Sequence, residues 1–144
     1  MRKYILLTSL LLSICCYSQF SDYNNTIGFA CGGAGSSTPI IKKTYSLLNT
    51  KKYSKFIEML YSKNSAENFL GVVVSEILKK KKLIVLSQKD LNRISELYNS
   101  DTEVEFCSGC SDFGFEKISK MLNQTDKAKM REEAEIEINS IFKK

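Results

Sequence analysis

From residue 39 onward, apolar side chains recur at the i, i+3, i+4, i+7 spacing that lines one face of an α-helix. Thr38-Pro39 reads as a helix start, with threonine as N-cap and proline at the first helical position, where its missing N–H costs nothing. Ile40, Ile41, Tyr45, Leu47 and Leu48 then form the apolar face of a helix over 39–49. Tyr53, Phe56, Ile57, Leu60 and Tyr61 predict a second over 52–62. Asn64 stands three positions before Glu67, the spacing of a capping box, and opens a helix over 65–80. Its apolar face is Phe69, Leu70, Val73, Val74, Ile77 and Leu78. Gly71 and the branched run Val72–Val74 would also suit a strand, but the length of the periodic segment and its cap favour a helix. Ser87 and Asp90 start a fourth helix over 87–98. Phe113, Phe115, Ile118, Met121 and Leu122 predict a fifth over 112–123, and Thr125-Asp126 opens a sixth over 126–142.

Two stretches break this period. Leu83-Ile84-Val85-Leu86 is an unbroken apolar run, suited to a buried connector or a short strand. Thr102–Phe106 alternates polar and apolar residues, as a short strand or an extended loop would. The expected fold is therefore all-α, with six helices in consecutive antiparallel pairs. Such an arrangement resembles the α-hairpin stacks of HEAT-like arrays, although no fixed-period repeat runs through the sequence. An irregular helical bundle is the alternative.

The N-terminal region follows a different pattern. Arg2 and Lys3 precede an apolar run from Ile5 to Cys16, and Tyr17-Ser18 leads into polar Gln19. A cationic start, a short apolar stretch and a small residue at the cut describe a secretory signal peptide. The run is too short for a membrane span, which needs about 20 apolar residues. Cleavage is expected after Ser18. Three parts follow: a signal peptide over 1–18, a Gly/Ser-rich segment over 19–38 and one helical domain over 39–144. Lipid anchoring is disfavoured, because bulky Ile14 precedes Cys15 and a cysteine precedes Cys16. The expected location is periplasmic or secreted. Two of the charges behind the formal +5 belong to Arg2 and Lys3, so the rest of the chain is only mildly basic. That balance is ordinary for a protein surface and gives no reason to expect a nucleic-acid partner.

Chemistry is bounded first by what is missing. With no histidine, Ser-His-Asp and Cys-His nucleophilic systems, His-based zinc sites and haem attachment through C-x-x-C-H are excluded. Outside the signal region the cysteines are Cys31, Cys107 and Cys110. Cys107-Ser108-Gly109-Cys110 has redox-motif spacing, yet no βαβ pattern or facing proline accompanies it; Pro39 is the only proline. A structural disulfide among the three is expected, with the pairing open. A bridge from Cys31 would close a loop of some 76–79 residues and contribute about 4 kcal/mol in the chain-entropy model. Zinc, wanting four N or S ligands, is poorly served by three cysteines. The Cys31–Thr38 glycine run lacks the Gly-Lys-Ser/Thr of a phosphate loop and reads as a capping loop.

Three further features have plain readings beside functional ones. Lys79–Lys82 complements the negative end of the helix dipole, or else meets an anionic partner such as a membrane surface or polymer. Glu103, Glu105, Asp101 and Asp112 could supply paired carboxylates but look like ordinary surface acids. Asn24-Asn25-Thr26 and Asn123-Gln124-Thr125 match the glycosylation triplet, relevant only in a eukaryotic secretory route. The sequence thus points to an exported helical interaction module, without evident catalysis or cofactor, whose partner is another protein of the envelope or extracellular space. The alternatives are a thiol–disulfide redox protein using Cys107 and Cys110, or an inhibitor or accessory of another envelope factor.

Overall fold

The computed structural model describes residues 25–31, 35–109 and 112–143. The expected signal peptide over 1–18, its cleavage site and Cys110 lie outside the described residues. In chain order the elements are β1 (Thr26–Ile27), α1 (Pro39–Asn49), α2 (Ser54–Met59), α3 (Ser65–Lys80) and α4 (Gln88–Tyr98). After them come β2 (Glu103–Ser108), β3 (Asp112–Lys117), α5 (Ile118–Leu122) and α6 (Met130–Ile141). The fold is mostly helical, with a small sheet in the order β1-β2-β3. The all-α expectation is corrected on that point.

The core centres on α3. Phe69, Leu70, Val72, Val73, Val74 and Leu78 are fully buried, so this helix is apolar on nearly every side. A helix of that kind belongs in the middle of a domain. Elements α1, α2, α4, α5, α6 and β2 all pack against it. That central position explains how Val72–Val74 stay helical: dense packing outweighs a modest propensity cost. Gly71 is what lets α2 come close, since a Cβ there would sit 3.0 Å from the Leu60 nitrogen. Asn68, buried on the same helix, donates to the carbonyls of Met59 (2.9 Å) and Ser62 (3.0 Å), so the chain leaving α2 has its backbone satisfied.

Consecutive pairing does not describe this packing. Helix α1 lies mainly against α6 and α3 rather than its sequence neighbour α2. The molecule is an irregular bundle around one helix, and the HEAT-like stack gives way to the alternative. An α-hairpin stack needs each helix to bury one stripe, whereas α3 buries almost its whole circumference.

Helix ends follow local chemistry. Asn64 caps α3 by accepting the Ala66 N–H at 2.9 Å, while Glu67 turns away to Lys43 at 2.7 Å instead of closing a box. At α4 the reciprocal box does form: the Ser87 hydroxyl accepts the Asp90 N–H, and the Asp90 carboxylate accepts the Ser87 N–H at 2.9 Å. Thr38 sits in the extended N-cap conformation before Pro39, but its hydroxyl makes no cap bond.

Four expected elements are revised. The helix over 112–123 is strand β3 followed by the short α5, because Asp-Phe-Gly-Phe-Glu-Lys alternates in twos and pairs residue for residue with β2. The helix over 126–142 begins at Met130; Gln124 and Lys129 take left-handed conformations, and Asp126 accepts the Met130 N–H at 2.9 Å. The helix over 52–62 is regular only over Ser54–Met59. Residues 83–86 are neither a strand nor a buried connector: Leu86 is buried, whereas Leu83 is 43% and Val85 91% exposed.

An ionic clamp joins α3 to α6. Arg131 donates to Glu76 at 2.7 Å, to Glu135 at 2.8 Å and to the Leu122 carbonyl at 3.0 Å, with Tyr98 completing the cluster. Burial works against its charge, but the bonds to Tyr98 and Glu135 outweigh that and hold the guanidinium firmly protonated.

Candidate interaction surface: the open edge of the sheet

Strand β1 pairs parallel to β2 through Thr26–Glu105 and Ile27–Phe106. Strand β3 pairs antiparallel to β2 on the other side, with Glu105 opposite Phe115 and Cys107 opposite Phe113. Opposed residues share a face, so two surfaces follow from the register. Ile27, Val104 and Phe106 face the helices, and Ile27 and Val104 are fully buried. Thr26, Glu105, Cys107, Phe113, Phe115 and Lys117 occupy the outer face.

On that outer face two of the sequence-predicted cysteines come together. Cys31 and Cys107 stand at disulfide distance, with their Cα atoms 5.9 Å apart and 76 positions between them in the chain. Both are buried, and Cys110 lies outside the described residues. Gly28 packs directly on the sulfurs: a Cβ at that position would collide with both. The Gly28 carbonyl also accepts the Thr38 N–H at 2.9 Å, joining the glycine-rich segment to the start of α1. Sulfur contact, backbone bond and the two-residue β1 together hold the N-terminal segment on the sheet.

The opposite edge is open. The Ile118 N–H donates to the Thr102 carbonyl at 2.9 Å, which marks that facing pair as hydrogen-bonded. Alternation in an antiparallel ladder then makes 104/116 and 106/114 bonded pairs, and 105/115 and 107/113 non-bonded ones. The N–H and C=O groups of Phe113, Phe115 and Lys117 consequently point away from β2. Lys117's N–H is taken by the Glu116 carboxylate at 3.0 Å. Among the described residues, no strand lies beside β3 on this edge, and the backbone groups of Phe113 and Phe115 find no partner there. The two residues are 54% and 67% exposed. A groove of about 410 Å³ runs between β3 and the Thr125–Ala128 turn, walled in part by Phe106, Phe115 and Lys127.

Three acids on or beside the sheet, Glu105, Asp101 and Glu116, bond to neighbours. Glu105 takes a hydrogen bond from Thr26. Asp101 pairs with Lys117 at 2.7 Å, and that contact holds its carboxyl below the usual range. Glu116 bonds both the Lys117 N–H and the Lys120 side chain, which overcome desolvation and keep it low as well. Among the described residues no three Cys, Asp or Glu side chains gather as a metal site.

Phe113 and Phe115 were expected on the apolar face of a helix; the structure puts them on an exposed strand. The signal that could have found them is the period of two around Gly114, which a helix-period search passes over. This chain matches no protein-family model, no curated protein and no solved structure.

Proposed function

We propose that the protein is an exported binding module that takes an extended segment of another protein onto the free edge of β3. The observation that carries this reading is the combination at Phe113 and Phe115, where unpaired backbone groups and exposed rings occur in the same two residues. An added strand would draw main-chain hydrogen bonds from those groups, and the rings would receive alternate side chains of the incoming segment. Export is supported by the leader-like pattern of residues 1–18 and by a cysteine pair at disulfide distance, which suits an oxidising compartment. An inhibitor or accessory role would use the same edge. The thiol–disulfide reading is weaker: Cys107 is fully buried against Cys31, and exchange needs an accessible sulfur.

A photo-crosslinking side chain placed at position 115 in the producing cell tests the proposal. It is expected to give a discrete protein adduct that Phe113→Asp abolishes, while the same label at exposed Ser95 on α4 gives none. Phe115→Pro, which removes one outward N–H, is expected to weaken partner binding without unfolding the chain, since edge strands tolerate proline. Identical adducts from positions 95 and 115 would overturn it.

A further inference from the structure

We propose that the tip formed by Lys79–Lys82, Leu83 and Val85 docks on an anionic lipid surface. This goes beyond the protein-binding reading and involves none of the β3 residues. The stretch from Ile77 to Lys89 contains five lysines and no acidic residue. Lys79, Lys80, Lys81 and Lys82 are all exposed, and among the described residues none of the four pairs with a carboxylate. The acids nearest the groove beside Lys80 and Lys81 are Glu76 and Glu135, and both are already held by Arg131. Dipole complementation at the end of α3 accounts for a lysine or two in the last turn, but not for four in succession.

Geometry adds apolar groups at the same point. Past α3 the chain turns with Lys82 in the left-handed conformation (φ 59°) and the Leu83 N–H bonded to the Leu78 carbonyl at 2.9 Å. This is the Schellman arrangement, and it fixes where Leu83 leaves the helix. The next residues alternate: Ile84 and Leu86 turn towards the core, while Leu83 and Val85 face outward. Val85, at 91%, is the most exposed of the large hydrophobic residues described. Lys81 lies over the Phe142 ring at 4.8 Å, and the exposed Lys143 follows Phe142 in the chain.

Lysines beside outward aliphatics match a lipid surface better than a soluble polyanion. Headgroups attract the ammonium groups, and the shallow acyl boundary receives Leu83 and Val85. A sulfated or phosphorylated polymer offers only the charge.

Vesicle binding of the full chain tests the proposal, with phosphatidylcholine vesicles against the same vesicles containing phosphatidylglycerol. Every variant carries the same apolar N-terminal run, so the quantity read is the gain in binding that the anionic lipid confers. Replacing all four lysines by glutamine is expected to cut that gain by roughly several hundredfold at low salt, each lysine near such a surface being worth about fivefold. Leu83→Ser with Val85→Ser is expected to lose about tenfold on anionic vesicles while heparin binding stays at the wild-type level. The chain has no tryptophan, so Val85→Trp provides a single fluorophore. Its emission should shift to the blue with anionic vesicles and stay unshifted with heparin. An unshifted Val85→Trp emission on vesicles, or a lysine variant that binds as wild type, overturns the proposal. So does heparin competing fully while the Leu83/Val85 variant binds vesicles unchanged, which would identify a soluble polyanion as the partner.

Discussion

Helix α3 is enclosed on nearly every side by five helices and β2, whereas β1 is two residues long and is joined to the body by β2, a short contact with α1, the buried Ile27 side chain and the neighbouring Gly28–Thr38 and Cys31–Cys107 links. The first is ordered by apolar burial spread over many contacts. The second buries little beyond Ile27 and Phe29 and has a covalent crosslink beside it. The difference also shows in what is left exposed. The helical body keeps Phe56, Phe69 and Leu70 fully inside, while the sheet presents Phe113 and Phe115 to solvent. A region held by a crosslink can keep an apolar, unpaired edge ordered without covering it.

Breaking the helical body should have the largest effect. Phe69→Ala removes a fully buried ring and is expected to destabilise the protein by roughly 3–5 kcal/mol in urea denaturation. Helix and sheet signals should be lost together, because β2 packs on α3. A loss below about 1 kcal/mol would mean the core can collapse around the gap, and α3 would no longer stand as the central support.

The crosslink comes next. Cys31→Ala with Cys107→Ala is expected to cost roughly 2–5 kcal/mol, the usual range for removing a native disulfide. Here the comparison sharpens: hydrogen exchange should speed up at Ile27 and Gly28, while the amides of Val72–Val74 keep their protection. Equal loss of protection in both places would show a single cooperative unit. Gly28→Ala gives the same corner a steric test. Its Cβ has no room beside the sulfurs, so thiol titration should find more free cysteine than in wild type.

The ionic clamp between α3 and α6 has a smaller expected effect. Arg131→Met leaves the Leu122 carbonyl without its guanidinium donor and Glu76 with the Tyr98 hydroxyl alone, a loss of about 2 kcal/mol for a partly buried charged hydrogen-bond set. An unchanged midpoint in urea would show that apolar contacts alone hold α6 in place.

How much of this was legible in the sequence follows the same division. Where apolar residues recur with helical period and a cap precedes them, as at Asn64–Leu78 and Ser87–Tyr98, element and boundary both follow from local chemistry. The alternation of Thr102–Phe106 foreshadowed β2, but the two strands beside it were hidden for a physical reason. A two-residue β1 carries no period of its own, and it exists only because β2, some 79 positions away, offers it a partner. For β3, Phe113 and Phe115 blended into the apolar face of the α5 helix that follows directly. The pairing of Cys31 with Cys107 was one of three possibilities, and only the register placing Gly28 against the sulfurs selects it. Which helices touch was not legible either, since a stripe of apolar residues says that a face is buried and not against what.

The capping box of α4 is the smallest test and the one with a pH signature. Ser87→Ala is expected to cost about 1 kcal/mol, the usual value of a lost N-cap, measured by urea denaturation at neutral pH. Asp90 is the other half of the box. The Ser87 hydroxyl bonds its carboxylate, desolvation opposes that, and the Ser87 N–H and Tyr61 hydroxyl add their donors, so its pKa is lowered from the ordinary aspartate value. A carboxyl lowered on folding contributes stability above its unfolded value, about 3.9, and loses it as pH falls through the lower folded value. Wild type should therefore exceed Asp90→Asn by its full margin at neutral pH, and the two curves should converge as the solution is acidified below about pH 4. Parallel curves down through that window would mean the carboxylate's charge does not support the helix start. The box would then act through the serine alone, and α4 would depend on burial as α3 does.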